Sequence, residues 1–137
     1  MKTITTHNIV AYMKDRFPEL VQHLKNGTID RSTDKCISVL TGSETRSQPN
    51  IAIGGVDCTA VRVLPINIVV HWTTNQYECD SKATEIFDKI LCEGCNFKVD
   101  DVKIATIDLI DSCPIQTGRD NKNVCESTIR ANVFYYV

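Results

Sequence analysis

The chain has no run of about eighteen apolar residues, the length a helix needs to cross a bilayer, so no membrane span is expected. Its first residues, MKTITTHNIV, carry a lysine but neither an apolar stretch nor a small-residue cleavage site, and do not read as a secretory signal. A basic excess is missing too. Fifteen Lys and Arg stand against 17 Asp and Glu, for a formal charge of −2, which argues against a general electrostatic grip on nucleic acid and against sequence-specific binding to it. The motifs GxSxG, GxxxxGKS/T and GxGxxG are all absent, which removes the usual signatures of a nucleophile elbow, a P-loop and a dinucleotide fold. His7, His23 and His71 show no HxxxH or HExxH spacing. No internal repeat is visible, and low complexity is confined to residues 42–49.

What remains has the composition of an ordinary globular chain, 42% hydrophobic and 23% charged, and 137 residues suit one domain spanning 1–137. Its longest β-type run is Ala60–Thr74, AVRVLPINIVVHWTT. Ile66, Ile68, Val70 and Trp72 fall on one side of an extended chain, and Asn67, Val69, His71 and Thr73 on the other. Val61 and Val63 have the opposite parity, and proline cannot donate to a ladder, so the spacing predicts a strand bent or bulged at Leu64-Pro65 with its second half central in a sheet. His71 reads as a surface or half-buried residue.

Around this strand the other elements can be placed. Residues 6–24 read as helical, with Ile9, Met13, Phe17, Leu20, Val21 and Leu24 on one face and Thr5 or Thr6 as N-cap. Pro18 implies a kink or break near Phe17, and Asn26-Gly27 a stop. Cys36–Leu40 is a short strand, Gly42–Pro49 a loop, and Ile51–Val56, with Gly54-Gly55, a turn. Asn75–Glu93 is the clearest helix: Asn75 and Glu78 match a capping box, Ala83, Ile86, Phe87, Ile90 and Leu91 form its apolar stripe, and Gly94 ends it. Val102–Ile110 and Val124–Val137 then read as arms of a long hairpin whose tip contains Thr117-Gly118-Arg119-Asp120-Asn121. The expectation is an α+β domain: a mostly antiparallel sheet, an N-terminal and a central helix packed on one face, and a long C-terminal β-hairpin.

Seven cysteines are many, and an odd number cannot all pair internally. Cys92-Glu93-Gly94-Cys95 is a CxxC, but it sits at the C-terminus of an acidic helix, where the dipole and Glu93 both disfavour a thiolate. A structural zinc would need Cys113 and Cys125 to complete the ligand set. Reduced, metal-free thiols are the simpler reading, with no cofactor. A metal-binding or redox protein using Cys92 and Cys95 is the alternative, and an adaptor that adds a peptide to a strand edge is a third. The hairpin tip carries charges of both signs, and Arg119, Asp120, Lys122, Glu126 and Arg130 are candidates for contacts between subunits.

The whole-chain pattern resembles the tail terminator proteins of long-tailed bacteriophages, some of them known as phage minor capsid proteins. The match rests on order and spacing: the N-terminal IVAYMKDRF, the strand-to-helix segment INIVVHWTTNQYECDSKATEIFDKILCE, and the closing PIQTGRDNKNVCESTIRANVFYYV with its proline, Gly-Arg-Asp turn and aromatic strand. The glycine that often follows the acidic turn is replaced by Lys122-Asn123. The resemblance implies a non-enzymatic virion protein, assembled in the host cytoplasm, that forms a ring, commonly a hexamer. Such a ring caps the tail tube protein and meets the head–tail connector protein, with the genome passing through its lumen.

Overall fold

A computed structural model of the chain describes residues 4–27, 35–42 and 61–136. The expected turn at 51–56, and all of the expected loop except Gly42, lie outside the described residues. Helix α1 (Thr6–Arg16) begins at Thr5, whose N–H donates to Asn8 Oδ1 at 2.9 Å. It ends where the sequence places the break: Phe17, at φ −126° and ψ 70°, precedes Pro18 and leaves helical geometry. A single 3₁₀ turn (Pro18–Leu20) follows. The helical stretch expected over 6–24 thus breaks near Phe17 as expected, and beyond the break only this 3₁₀ turn is helical. Val21 is exposed, and Leu24 belongs to a strand, β1 (Leu24–Asn26). That short strand pairs in parallel with β2 (Cys36–Thr41), a partner that helical periodicity cannot reveal.

Strand β3 (Val61–His71) is central, as expected, but it carries no bulge at Leu64-Pro65. Its pairing with β7 (Cys125–Tyr136) is unbroken from Val61↔Tyr136 to His71↔Glu126. The proline is tolerated because of where it points. The carbonyl of Pro65 accepts from the Gly42 N–H at 2.9 Å, just past the end of β2. In an extended residue N and C=O face the same neighbour, so the missing donor falls beyond the last β2 pair, Thr41↔Ile66, and not into the β7 ladder.

Helix α2 (Gln76–Glu93) is capped by Asn75, whose Oδ1 accepts from the N–H of Tyr77 at 2.9 Å and of Glu78 at 3.4 Å. The capping box closes through a relay: the Asn75 N–H donates to Thr73 Oγ1, which in turn donates to Glu78. Cys79, Ala83, Ile86, Phe87 and Ile90 are buried, but Leu91, assigned to the stripe by spacing, is 65% exposed. At Gly94 the φ of −79° suits any residue. Glycine is required there because a Cβ would collide with the carbonyl oxygen of Ile90.

The sequence reading has no strand directly after α2, yet β4 (Cys95–Val99) turns back through Asp100-Asp101 into β5 (Val102–Leu109). Both turn residues have positive φ, 49° and 67°, the geometry of a two-residue hairpin loop that aspartate adopts more readily than most residues. The described residues form a seven-stranded sheet in the order β1-β2-β3-β7-β5-β4, with β6 (Ile115–Arg119) also on β7, and all pairs except β1·β2 are antiparallel. The fold is α+β, as expected. The long hairpin differs in detail: β7 pairs with β5 along its second half and with β6 along its first, so the segment between them folds back onto the sheet.

Both helices lie on one face. Cys79 Sγ reaches Ser127 Oγ, which sits across from Val70, while Tyr12 stacks on Phe97 at 4.4 Å. Between them Ile37, Ile66, Ile68, Ile86, Ile104 and Ile129 are almost wholly buried. Trp72 is buried at the end of β3, with His23 edge-on to it and the ammonium groups of Lys35 and Lys82 over its ring at 5.1 and 5.3 Å. Lys89 joins the helices by donating to the Arg16 carbonyl at 2.8 Å.

Phe87 is buried under α2, so Phe87→Ala is expected to destabilise the fold by about 3–5 kcal/mol, measured by urea unfolding. A loss under about 1 kcal/mol would mean that this ring does not anchor the helix.

Candidate functional site

The residues singled out for intersubunit contacts lie on or beside the β6–β7 hairpin, and the structure gives most of them partners within the chain. Asp120 organises the turn. Its Oδ1 accepts from the N–H groups of Lys122 and Val124, both at 2.9 Å, while its Oδ2 accepts from His71 Nε2 at 2.7 Å. His71 is 1% exposed on β3, so this bond fastens the turn to the middle of the sheet. The surface or half-buried position expected for His71 is corrected accordingly. A buried imidazole needs a partner, and the turn supplies one.

Arg119 closes the same turn. Its Nη1 donates to the carbonyls of Asn123 at 2.8 Å and Thr74 at 3.0 Å, which joins the tip to the start of α2. Gln116 Nε2 adds a bond to Asp80 Oδ2 at 3.0 Å. Arg130 grips Asp111 through Nε and Nη2 at 2.8 and 2.7 Å, a two-point contact between β7 and the segment after β5. Glu126 also has an interaction partner. Lys122 is exposed. The tip is thus a docked turn and not an arm reaching away from the body. Sequence reasoning treated Asp120 as one charge among several. The Gly-Arg-Asp run marked a turn but gave no sign that the aspartate returns to His71, 49 residues earlier.

Hydrogen bonding to His71, with smaller contributions from the Val124 and Lys122 N–H groups, holds the Asp120 carboxyl below its ordinary range. The folded state therefore favours the charged form. This contribution is complete above the ordinary carboxylate value of about 3.9 and is lost as the pH falls through the lower folded value.

Cys36 stands directly across from His71 in the β2–β3 pairing, so a thiol, an imidazole and a carboxylate come close together. The thiol is wholly buried and its described contact is Ser38 Oγ at 3.4 Å, which leaves no room for a substrate at sulfur. Cys92 in the last turn of α2, Cys95 at the start of β4 and Cys113 between β5 and β6 are exposed, whereas Cys125 is buried. Among the described residues no three His, Cys, Asp or Glu side chains gather in a way that could hold a metal ion. Burial pushes the Cys79 thiol above its ordinary value, which makes it a poor nucleophile. No family model, curated protein or solved structure was found to match the chain.

Two outcomes are expected. In Cys58→Ser protein, which leaves the six described cysteines, a thiol reagent should modify Cys92, Cys95 and Cys113 in the native state and Cys36, Cys79 and Cys125 only after unfolding. Mass-mapped labelling reads this directly. In hydrogen exchange, the amides of Lys122 and Val124 should lose protection as the pH is lowered below about 4, and Asp120→Asn should abolish that acid dependence. Acid-insensitive protection in the native chain would show that the turn is held by other contacts.

Proposed function

We propose that this chain is a structural subunit that closes with copies of itself into a ring, and that the ring is a tail terminator of a long-tailed bacteriophage. In this reading it belongs to the virion, caps the tail tube, and presents the surface to which the head–tail connector attaches. The phage assignment rests on the resemblance in element order and spacing. The assembly part is carried by one observation: the outer edge of β6 is unpaired among the described residues, and all five residues of that strand are exposed.

An open edge offers N–H and C=O groups to another chain, which is why monomers usually cover or charge such edges. Here the edge includes Ile115, 42% exposed, and the strand is joined to α2 through the Gln116–Asp80 bond. The hairpin is held in shape before any partner arrives, because Asp120, Arg119 and Arg130 are already engaged. Ordering costs on association are correspondingly small. Arg119, Asp120 and Arg130 then serve the interface by positioning the hairpin, with Lys122 facing outward. A heterologous contact, one surface against a different one, is what a closing rotation requires. Hexameric closure is the form the resemblance implies.

Negative-stain microscopy and sedimentation velocity of the purified chain, alone and with the tail tube protein of the same genome, test this. Closed rings are expected. Ile115→Lys combined with Lys122→Glu should weaken assembly while leaving the circular dichroism unchanged, since exposed substitutions usually alter stability by no more than about 0.5 kcal/mol. A chain that stays monomeric at every concentration and beside the tube protein would overturn the proposal. A double variant that assembles like the native chain would remove the β6 edge from it.

A further inference from the structure

Of the asparagines in the sequence, only Asn26 is followed by glycine. That pairing is chemically reactive. The main-chain nitrogen after an asparagine can attack the side-chain Cγ, and glycine, with no Cβ, hinders the approach least. Asn26 is the last residue of β1 and is exposed, as is Gly27, so water and base reach both.

Both reacting groups are engaged in the fold, and by different elements. Thr6 Oγ1, in the first turn of α1, donates to Asn26 Oδ1 at 2.6 Å. The Gly27 N–H donates to the carbonyl of Val39 on β2 at 2.9 Å. The attacking nitrogen must first lose that proton, the same event that amide hydrogen exchange records. A proton held by a strand carbonyl leaves when the strand end opens. β1 is three residues long and outermost in the described sheet, so a local opening is enough.

We propose that Asn26 is a site of spontaneous deamidation whose rate is set by opening of the β1 end. In the open state base takes the Gly27 amide proton, and the nitrogen bonds to Asn26 Cγ. The Cγ–Nδ2 bond then breaks, Nδ2 takes up a proton and leaves as ammonia, and a five-membered succinimide remains. Water opens that ring at one carbonyl or the other, giving aspartate or isoaspartate. Either product adds one negative charge to a chain of formal charge −2. Isoaspartate also routes the main chain through the side-chain carbon, which lengthens it by one methylene and shifts the Gly27 N–H away from Val39. The fold thus delays a change that, once made, loosens the corner where α1, β1 and β2 meet. The site does not depend on the ring proposal.

The test is incubation of the purified chain in mildly alkaline buffer, with and without urea, read by peptide mass mapping. Hydrogen exchange at Gly27 is measured alongside. In urea Asn26 should convert faster than any other asparagine. In the native chain it should convert more slowly, by the same factor, to within about tenfold, that protects the Gly27 amide from exchange. Thr6→Val removes one of the two bonds, and should raise the native rate about five- to tenfold while leaving the rate in urea unchanged. Another asparagine outrunning Asn26 in urea, or equal Asn26 rates with and without urea, overturns the proposal. So does a protected Gly27 amide beside rapid native conversion. An unchanged native rate in Thr6→Val overturns the restraint assigned to Thr6.

Discussion

The pairing of β3 with β7 is the constraint on which the rest of the structure depends. It runs for the full length of β3, from Val61↔Tyr136 to His71↔Glu126, without a shift in register. Everything between the two strands, α2, β4, β5 and β6, is a closed loop of chain whose entropy must be offset by what the pairing buries. Ile66, Ile68, Val70, Ile129, Ala131 and Val133 are the residues that offset it, all nearly inaccessible on the helix-covered face. A slip of one residue would turn that row outward, so the apolar alternation that drives burial also sets the register. β7 then divides its other edge between β5 and β6, and that division places the hairpin turn beside His71.

The two faces of the sheet are held by different physics. One is a conventional apolar layer under α1 and α2. The other carries Ser38, His71 and Asn132, all buried, where a polar group is costly unless it is paired. Asn132 Oδ1 has no hydrogen-bond partner among the described residues, whereas His71 has one. The His71–Asp120 bond is the clearest case. It joins the central strand to a surface turn, and the same carboxylate shapes that turn through two main-chain N–H groups. One side chain therefore sets both the form and the position of the hairpin. An edge presented by such a turn is preorganised for association, and this links the buried polar chemistry to the proposed assembly.

Much of the architecture was legible in the sequence because it follows from short-range rules. Asn75 and Gly94 bracket α2 for reasons local to the chain, a side-chain cap and a lack of space for a Cβ. The alternation at residues 66–72 identified the buried row of β3, and Pro18 marked the end of α1. The failures share a cause. Leu24 fits a helical stripe by spacing, but becomes a strand residue because Ile37 is there to pair with it. Leu91 has the right periodicity and still faces solvent, at 65% exposed, because the sheet lies under the other side of α2, where Ile86, Phe87 and Ile90 are buried. Pro65 suggested a bulge, and only the position of Gly42 shows where its missing donor points.

For the candidate sites the division is sharper. The amino-acid order by itself determined that a hairpin turn falls around Asp120-Asn121, that both charge signs gather there, and that the CxxC lies at the unfavourable end of a helix. Tertiary structure alone decided which charges remain available. It joined Asp120 to His71 across 49 residues and Arg130 to Asp111 across 19, while Lys122 stays exposed. The physical reason is reach. Propensity, capping and periodicity act over a few residues and are written in local order, whereas hydrogen-bond satisfaction depends on which atoms the completed sheet brings within about 3 Å.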